Sequence, residues 1–290
     1  MTDFFQFVIA GLSQGAIYAL IAIGFSVIYR ATNIVNFAQG EFVMLGGLGT
    51  AGAISFGLPP FLAVLAAIAA GLVAALLLDR LVVRLAKYAP VILIIILTIG
   101  ASIALRGSAQ LVWGSNFHSL PSVFGSEPIR VLNVTVMPQS ILILFVTFAI
   151  VAGLEFFFRR TRSGQAMLAA AINPLAASLV GIELRRVYAA TFIIAAALGS
   201  IAGLLITPLA MIHFESGLMF GLKGFAAAIL GGFGNIVGSL VGGLALGVAE
   251  ALGAGYVSSA YKDAIAFVLI IVVLLTKPTG FFGQIAKGRV

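Results

Sequence analysis

The chain has 290 residues, of which 62% are hydrophobic and 9% are charged, with a formal net charge of +7 and a mean hydropathy of +1.20. A water-soluble domain carries about 25% charged residues, so this composition excludes a water-soluble domain. It predicts an all-α, polytopic transmembrane helix bundle. Cysteine is absent, which excludes disulfides, thiolate catalysis and cysteine-based metal sites. The opening residues, MTDFFQFVIAGLSQG, lack the basic leader and cleavage site of a secretory signal, so we expect them to form the first span.

Six apolar stretches are predicted to cross the bilayer. The first, about Phe5–Tyr29, repeats the small residues Gly11, Gly15, Ala19 and Ala22 on one helical face, which predicts close packing against other helices. The other five are about Phe61–Leu78, Pro90–Trp113, Gln139–Phe158, Tyr188–Leu209 and Lys262–Thr276. With two further regions described below, we expect about eight or nine segments in one transmembrane domain covering 1–290.

Basic residues are concentrated in alternate loops of this predicted bundle, and the positive-inside rule makes those loops cytoplasmic. The prediction is therefore a multi-pass cell-membrane protein of the bacterial inner-membrane kind. Its N-terminus is expected outside and its C-terminal tail, 277–290, in the cytoplasm, which requires an odd number of crossings. The residues concerned are Arg30, Arg80, Arg84, Lys87, Arg159, Arg160, Arg162, Arg185, Arg186, Lys277, Lys287 and Arg289.

The segment that follows the first span, Arg30–Phe56, is too polar for a lipid-facing helix. Its polar side chains are those of Asn33, Asn36, Gln39 and Glu41. In a continuous helix Asn33, Asn36 and Gly40 would share one side with Glu41 alongside, and this polar edge predicts a lining for a translocation pathway. The alternative is that the span begins near Phe42 and that these groups lie in the cytoplasmic interface.

The region Phe220–Tyr256 is apolar but interrupted. A break is predicted between Phe220–Leu230 and Ile236–Ala254, at Gly231, Gly232, Gly234 and Asn235. Two half-helices meeting inside the membrane would expose polar backbone to a substrate, so we include these four residues in the candidate pathway. The alternative is a tight cytoplasmic hairpin. Beyond the break, glycines spaced by four residues predict a helix buried among others.

The stretch Arg159–Arg186 is apolar inside and basic at both ends. A crossing would put one basic cluster on the disfavoured side, so we predict a cytoplasmic loop, with a span as the alternative. Asn173 is suited to an N-cap, Pro174 to the first helical position and Gly181 to the residue after a helix end. We therefore expect a helix at about Leu175–Val180, preceded by one from Ser163 to Ile172, which could dock a protein or lie on lipid headgroups.

Several chemistries have no sequence support. The chain contains no GxxxxGK[ST] phosphate loop, no catalytic triad, no HExxH motif and no carboxylate cluster. We therefore predict no catalytic or metal-binding residues and no cofactor, and we expect any ATP to be bound by partner subunits. The ionisable candidates within spans are few, namely Glu41, Arg106, Glu155 and Glu250, which argues against an ion-coupled carrier.

The loop between the predicted spans Pro90–Trp113 and Gln139–Phe158, about 114–138, is the longest polar loop on the predicted outer side. It is rich in proline and carries both charges. It is either a docking surface for an extracytoplasmic protein or a simple connector.

Three motifs together resemble the permease subunits of branched-chain amino-acid ABC importers, and the resemblance covers nearly the whole chain. They are GLSQGAIYALIAIGFSVIYRATNIVNFAQGEFVMLGG at 11–47, GLKGFAAAILGGFGNIVGSLVGG at 221–243 and KPTGFFG at 277–283. The resemblance implies a second permease subunit, identical or related, two ATP-binding subunits and an extracytoplasmic substrate-binding protein. It implies transport of leucine, isoleucine, valine or a related small amino acid, with no nucleic-acid partner.

The resemblance also assigns Arg159–Arg186 as the loop that couples the permease to its ATPase. Positions matching the family pattern, with their neighbours in the short helix, are Gly164, Asn173, Pro174, Leu175, Ala176, Ala177, Gly181 and Ile182. The chain departs from the pattern at Leu168 and Ile172, where relatives tend to carry a basic and an acidic residue. Docking is therefore expected to rely on apolar packing.

Three alternative functions stay open at this point. An importer of the same type could carry urea or short amides. A self-sufficient secondary carrier or channel would transport without ATP or partners, and a membrane enzyme would alter its substrate.

Overall fold

The computed structural model describes residues 2–83, 90–125, 127–131, 134–277 and 279–283. Within these ranges it is a helical bundle with one short β-hairpin. The helices are α1 (Thr2–Thr32), α2 (Gln39–Ser55), α3 (Pro60–Leu78), α4 (Val91–Trp113), α5 (Pro138–Arg160), α6 (Arg162–Ile172), α7 (Pro174–Leu179), α8 (Leu184–Ile206), α9 (Ser216–Gly231), α10 (Ile236–Tyr256) and α11 (Lys262–Thr276). A π-helical turn, Asp79–Val83, extends α3, and a 3-10 turn, Ser259–Tyr261, precedes α11.

Seven of these elements are long and apolar enough to cross a membrane, namely α1, α3, α4, α5, α8, α10 and the 3-10 turn with α11. They include the six predicted spans and the second part of the Phe220–Tyr256 region. The remaining bundle helices, α2 and α9, have 17 and 16 residues and are about 24–26 Å long at 1.5 Å per residue, short of the ~30 Å hydrocarbon core. The described residues thus form nine segments, as predicted.

Helix α1 lies at the centre of the bundle, where residues 16–23 are fully buried on every side. By contrast, α3, α4, α5 and α11 present large apolar side chains outward, such as Leu65, Ile92, Phe145 and Val268. A helix that is apolar all round is expected in a core, and an exposed apolar face is expected against lipid. The outer helices therefore form the lipid-facing rim of a bundle built around α1.

Small residues bring α1 and α10 into backbone contact. The sequence predicted close packing for each of these helices but not that they would pair with each other. A Cβ added at Gly243 would lie 2.5 Å from Cα of Ala19, and one at Gly15 would lie 2.8 Å from Cα of Leu244. Neither position can hold a side chain without separating the helices. Glycine spacing thus fixes the central helix pair.

The loop that follows α4 contains strands β1 (Ile129–Val131) and β2 (Val134–Val136), which pair antiparallel. Two anchors tie this loop to the bundle: the amide of Gln6 in α1 bonds to the backbone of Thr135, and His118 forms a backbone bridge with Ile212. The predicted outer loop is therefore a structured cap over one end of the bundle.

We call the other end of the bundle, where Arg30, Arg159, Arg160, Arg162, Arg185 and Arg186 lie, the basic end. Helix α1 runs toward it and α8 runs away from it. Four residues used in the topology prediction, Arg84, Lys87, Lys287 and Arg289, lie outside the described residues, as do 278 and 284–290 of the predicted tail.

Candidate functional site

The connection between α1 and α2 turns back into the bundle and starts a helix at mid-depth. The amide of Gln39 donates to the carbonyl oxygen of Ala195 at 2.9 Å, and Ala195 lies near the middle of the 23-residue α8. Asn36, fully buried, accepts a hydrogen bond from the backbone of Ala38 at 3.1 Å through its side chain. The N-terminus of α2 is thus held inside the bundle by polar groups of the predicted segment.

The prediction that Asn33, Asn36 and Gly40 share a helical face is wrong. Residues 33–38 form a non-helical connection, and Asn33 has a left-handed φ of 54°, a conformation that asparagine tolerates better than most residues. The helix begins only at Gln39, so the first two asparagines lie on a turn. Of the two arrangements considered, a helix starting near Phe42 is the closer one, but its start lies within the bundle.

Helix α9 begins at the same depth as α2. A Cβ at Gly40 would lie 2.7 Å from Cα of Gly221, and it would also meet the carbonyl oxygen of Gly217. From this crossing α2 runs away from the basic end and α9 runs toward it. Two helices of opposite direction, each shorter than a full span, therefore meet in the middle of the bundle.

A short shared sequence pattern accompanies this pair, and sequence reasoning did not identify it. Phe37 and Gly40 recur as Phe214 and Gly217, each glycine three residues after its phenylalanine and in the first helical turn. Inverted-topology repeats with helix termini at mid-membrane are a common plan in transport proteins. The short shared pattern, NFAQG against HFESG, was the signal that could have revealed it.

Glu41, one residue after the crossing, forms a buried polar cluster with α4. Its Oε1 accepts a 2.7 Å hydrogen bond from the Ser102 hydroxyl and lies 3.2 Å from Nε of Arg106. Glu41 is 1% exposed, whereas the Arg106 side chain is 21% exposed. Ionisable groups at this depth are costly unless paired, and they commonly mark substrate pathways.

A cleft of about 190 Å³ lies beside this cluster, between α4 and α9. One wall presents Ile99, Ser102 and Arg106 from a single face of α4. The other wall is formed by the first turns of α9 and by three packed phenyl rings, with ring centroids 5.7 Å apart for Phe25–Phe225 and 5.5 Å for Phe37–Phe225. The cleft is thus apolar with one cationic group.

The glycine break lies elsewhere, at the basic end. Gly232 and Gly234 have positive φ values of 98° and 82°, and a Cβ at Gly234 would lie 3.8 Å from Cβ of Arg30. Gly231 lies about 21 Å along α9 from Gly217 at 1.5 Å per residue. The break is therefore a tight hairpin, as in the alternative whose cytoplasmic side stays a prediction, and the half-helix ends of the predicted break do not meet at mid-depth.

Gly231, Gly232, Gly234 and Asn235 build that hairpin. The side chain of Asn235 caps α10 by accepting from the backbone of Gly238 at 3.0 Å. A cavity of about 500 Å³ adjoins the hairpin and is lined in part by Arg30, Arg159, Leu168 and Asn235. It separates the hairpin from α6, the helix that carries Leu168.

A second buried charge cluster ties α9 to the last two helices. Nζ of Lys223 lies 2.7 Å from Oε1 of Glu250 and 2.6 Å from Oδ1 of Asp263, and it donates to the Tyr18 hydroxyl at 3.3 Å. The structure buries Glu250, one of the ionisable candidates within the predicted spans, inside the bundle. Lys223, its partner, was missed because its sequence neighbours are glycine and apolar residues.

The predicted coupling stretch folds outside the bundle at the basic end as two helices. Asn173 caps α7 by accepting from the backbone of Ala176 at 3.1 Å, Pro174 is the first helical residue and Gly181 has φ 88°. These three local assignments are confirmed. Helix α6 begins one residue earlier than expected because Thr161 supplies its N-cap.

The two faces of this helix pair differ sharply. Gly164 packs against the backbone of Phe158, where a Cβ would lie 2.7 Å from Cα; Ala177 is buried, and Ile182 packs on the core. The opposite face leaves large apolar side chains 71–80% exposed at the basic end. They are Ile172, Leu175, Leu179 and Val180.

These features define the class of the molecule as an integral membrane transport protein of the permease type. The chain belongs to a family described as the branched-chain amino acid transport system permease component, whose sequence model matches residues 7–274. This confirms the resemblance carried by the three sequence motifs.

Individual relatives support the same membership. The chain is 36% identical to the high-affinity branched-chain amino acid transport system permease protein LivH of Escherichia coli strain K12, covering 97% of this chain and 96% of that one. It is 37% identical to the corresponding protein BraD of Pseudomonas aeruginosa over the same shares. A probable branched-chain amino acid permease of Methanocaldococcus jannaschii is 29% identical over 91% of this chain and 88% of its own length.

Proposed function

We propose that this chain is the membrane-spanning permease subunit of an ABC importer for branched-chain amino acids. ATP is hydrolysed by two separate subunits, substrate is delivered by an extracytoplasmic binding protein, and a second permease subunit completes the membrane unit. The observation that carries the proposal is the exposed apolar face of α6 and α7 on a transporter chain whose sequence has no phosphate loop. Such a patch on a water-facing surface marks a docking site for a protein.

The proposed ATPase contact consists of α7 and the end of α6. Asn173 and Pro174 fix the start of α7, Leu175 and Ala176 lie on its exposed side, and Gly181 ends it. Gly164, Ala177 and Ile182 hold the pair against the bundle. A push on the exposed face would therefore be transmitted to α5 and α8, which flank the pair in sequence.

The departures from the family pattern are consistent with apolar docking. Ile172 is 76% exposed on the proposed contact surface. Leu168 instead lines the cavity beside the glycine hairpin. The cavity gives α6 room to move relative to that hairpin, and Gly231, Gly232, Gly234 and Asn235 therefore belong in this proposal to the moving basic end.

The proposed pathway passes the α2–α9 crossing. Gln39 and Glu41 lie at mid-depth, and Asn33 and Asn36 lie on the turn that leads there from the basic end. The basic end is assigned to the cytoplasm by the positive-inside rule, which puts the N-terminus outside and the hairpin β1–β2 on the side of the binding protein.

Transport by the reconstituted complex tests the function. Proteoliposomes holding this chain, its partner permease and the two ATPases should take up leucine, isoleucine or valine only with internal ATP and the binding protein. Uptake of urea or short amides instead would change the substrate class. Uptake by this chain alone, without ATP, would overturn the importer proposal in favour of a carrier or channel.

Crosslinking tests the ATPase contact. Leu175→Cys and Leu179→Cys, in a chain that has no cysteine of its own, should crosslink to an ATPase subunit. Val123→Cys, on the opposite end and 73% exposed, is the matched control and should not. Failure of both α7 variants to crosslink, with labelling only by lipid-phase reagents, would assign α7 to the membrane surface.

A further inference from the structure

We infer that Arg106 is the residue that binds the carboxylate of the amino-acid substrate in the cleft between α4 and α9, and that Glu41 is its positioning residue. The inference rests on the proposed function and names the recognition chemistry within it.

The geometry of the ion pair leaves part of the guanidinium available. Nε of Arg106 lies 3.2 Å from Oε1 of Glu41 as an ion pair without a hydrogen bond, and Nη2 makes a long, 3.5 Å contact to Ser102. Nη1 makes no hydrogen bond to any described residue. An arginine fork binds a carboxylate through two parallel N–H groups, so the terminal nitrogens can bind a second carboxylate while Nε stays with Glu41.

The two partners are placed differently with respect to the cleft. Arg106 and Ser102 line it, whereas Glu41 is buried behind Ser102 and Gly217. A Cβ at position 217 would lie 2.5 Å from Oε2 of Glu41, so a side chain there would displace the carboxylate. Glu41 therefore fixes the arginine from behind, and the cation is the charge presented to the cleft.

The rest of the cleft suits a branched aliphatic side chain. Its walls include Ile99, Leu222 and the phenyl rings of Phe25, Phe37 and Phe225. Its volume of about 190 Å³ is below the roughly 300–1,000 Å³ of pockets that hold drug-sized ligands. One cation on an otherwise apolar wall matches a small molecule with one carboxylate and one hydrocarbon side chain.

Substrate protection of a single cysteine tests the inference. Leu218 lines the cleft and is 42% exposed, so Leu218→Cys in the assembled transporter reports access to it. Leucine should slow its reaction with a water-soluble maleimide. So should 4-methyl-2-oxopentanoate, which keeps the carboxylate and lacks the ammonium group, whereas leucinol, which lacks the carboxylate, should not. Val123→Cys should react equally in all conditions.

Replacement of both charges keeps the buried site neutral. Glu41→Gln with Arg106→Gln removes the cation without leaving an unpaired carboxylate. The leucine concentration needed for half-protection should rise about ten-fold or more. A ten-fold rise corresponds to about 1.4 kcal/mol, which is the scale of one lost charged hydrogen bond. Arg106→Lys should have a smaller effect because the charge remains and the fork is lost.

The outcomes separate the inference from the proposed function. Wild-type uptake of leucine with no protection of Leu218→Cys, or equal protection by leucinol, overturns the role of Arg106 and leaves the importer standing. Full leucine protection in the double variant, with normal assembly, also overturns it. Loss of protection in that variant supports it only if leucine was a transported substrate of the wild type; otherwise the proposed function itself has failed.

Discussion

Nζ of Lys223 lies 2.7 Å from Oε1 of Glu250, and both side chains are buried between α9 and α10. A salt bridge in this setting is weak evidence for stability, because desolvation offsets the attraction, but removal of one partner leaves an uncompensated charge. The pair therefore sets a mutual requirement between two helices rather than a large net gain.

Removal of one charge of this pair, with the other left in place, should destabilise the protein. Lys223→Met leaves Glu250 with one remaining cation among the described residues, Lys262 at 3.4 Å, which is 43% exposed, and should cost about 3–5 kcal/mol. The melting temperature in detergent would measure the loss. Lys223→Met with Glu250→Gln should recover most of it, and Lys262→Met should change little. A double variant as unstable as the single one would contradict this account.

The effect of a glycine-to-alanine change should depend on whether the glycine faces another helix. Gly243→Ala should impair folding, because its Cβ would lie 2.5 Å from the backbone of Ala19 in α1. Gly153→Ala in α5 meets no atom within 4 Å and should be neutral or stabilise by up to about 1 kcal/mol through helix propensity. Yield of monodisperse protein after extraction measures both. Similar yields for the two variants would argue against the α1–α10 contact.

Labelling from two sides should fix the orientation. In spheroplasts with a sealed inner membrane, a membrane-impermeant maleimide should label Val123→Cys. It should label Leu179→Cys only after the inner membrane is permeabilised. This pattern is expected because α7 lies at the arginine-rich end of the bundle, and arginine-rich loops stay on the cytoplasmic side. The reverse pattern would place the N-terminus in the cytoplasm.

Loss of the α7 cap should weaken the ATPase contact. Asn173→Ala removes the side-chain acceptor for the backbone of Ala176, a change that costs about 0.5–2 kcal/mol at helix starts. ATPase affinity measured by pull-down or light scattering should fall, with Asn173→Ser retaining most of it. Unchanged affinity for Asn173→Ala would show that α7 order does not limit docking.

The local signals read from single stretches of sequence were sufficient for much of this protein. Hydrophobic length predicted the long helices, and the short polar, proline and glycine signals at Asn173, Pro174 and Gly181 predicted α7 almost to the residue. These features depend on each residue's own backbone and on neighbours within one turn, which is information that a linear pattern contains.

Depth in the membrane could not be predicted in the same way. The sequence marked 30–56 as a polar segment and 231–235 as a break, yet the bundle buries the start of α2 at mid-depth and leaves the glycine hairpin at the basic end. That difference depends on which helices lie beside each break. At the start of α2, Gln39 bonds to Ala195 of α8 and Gly40 packs against Gly217 of α9. Pairing across distant segments also created the clusters Glu41–Arg106 and Lys223–Glu250, because a buried charge can persist only where the tertiary structure supplies its partner.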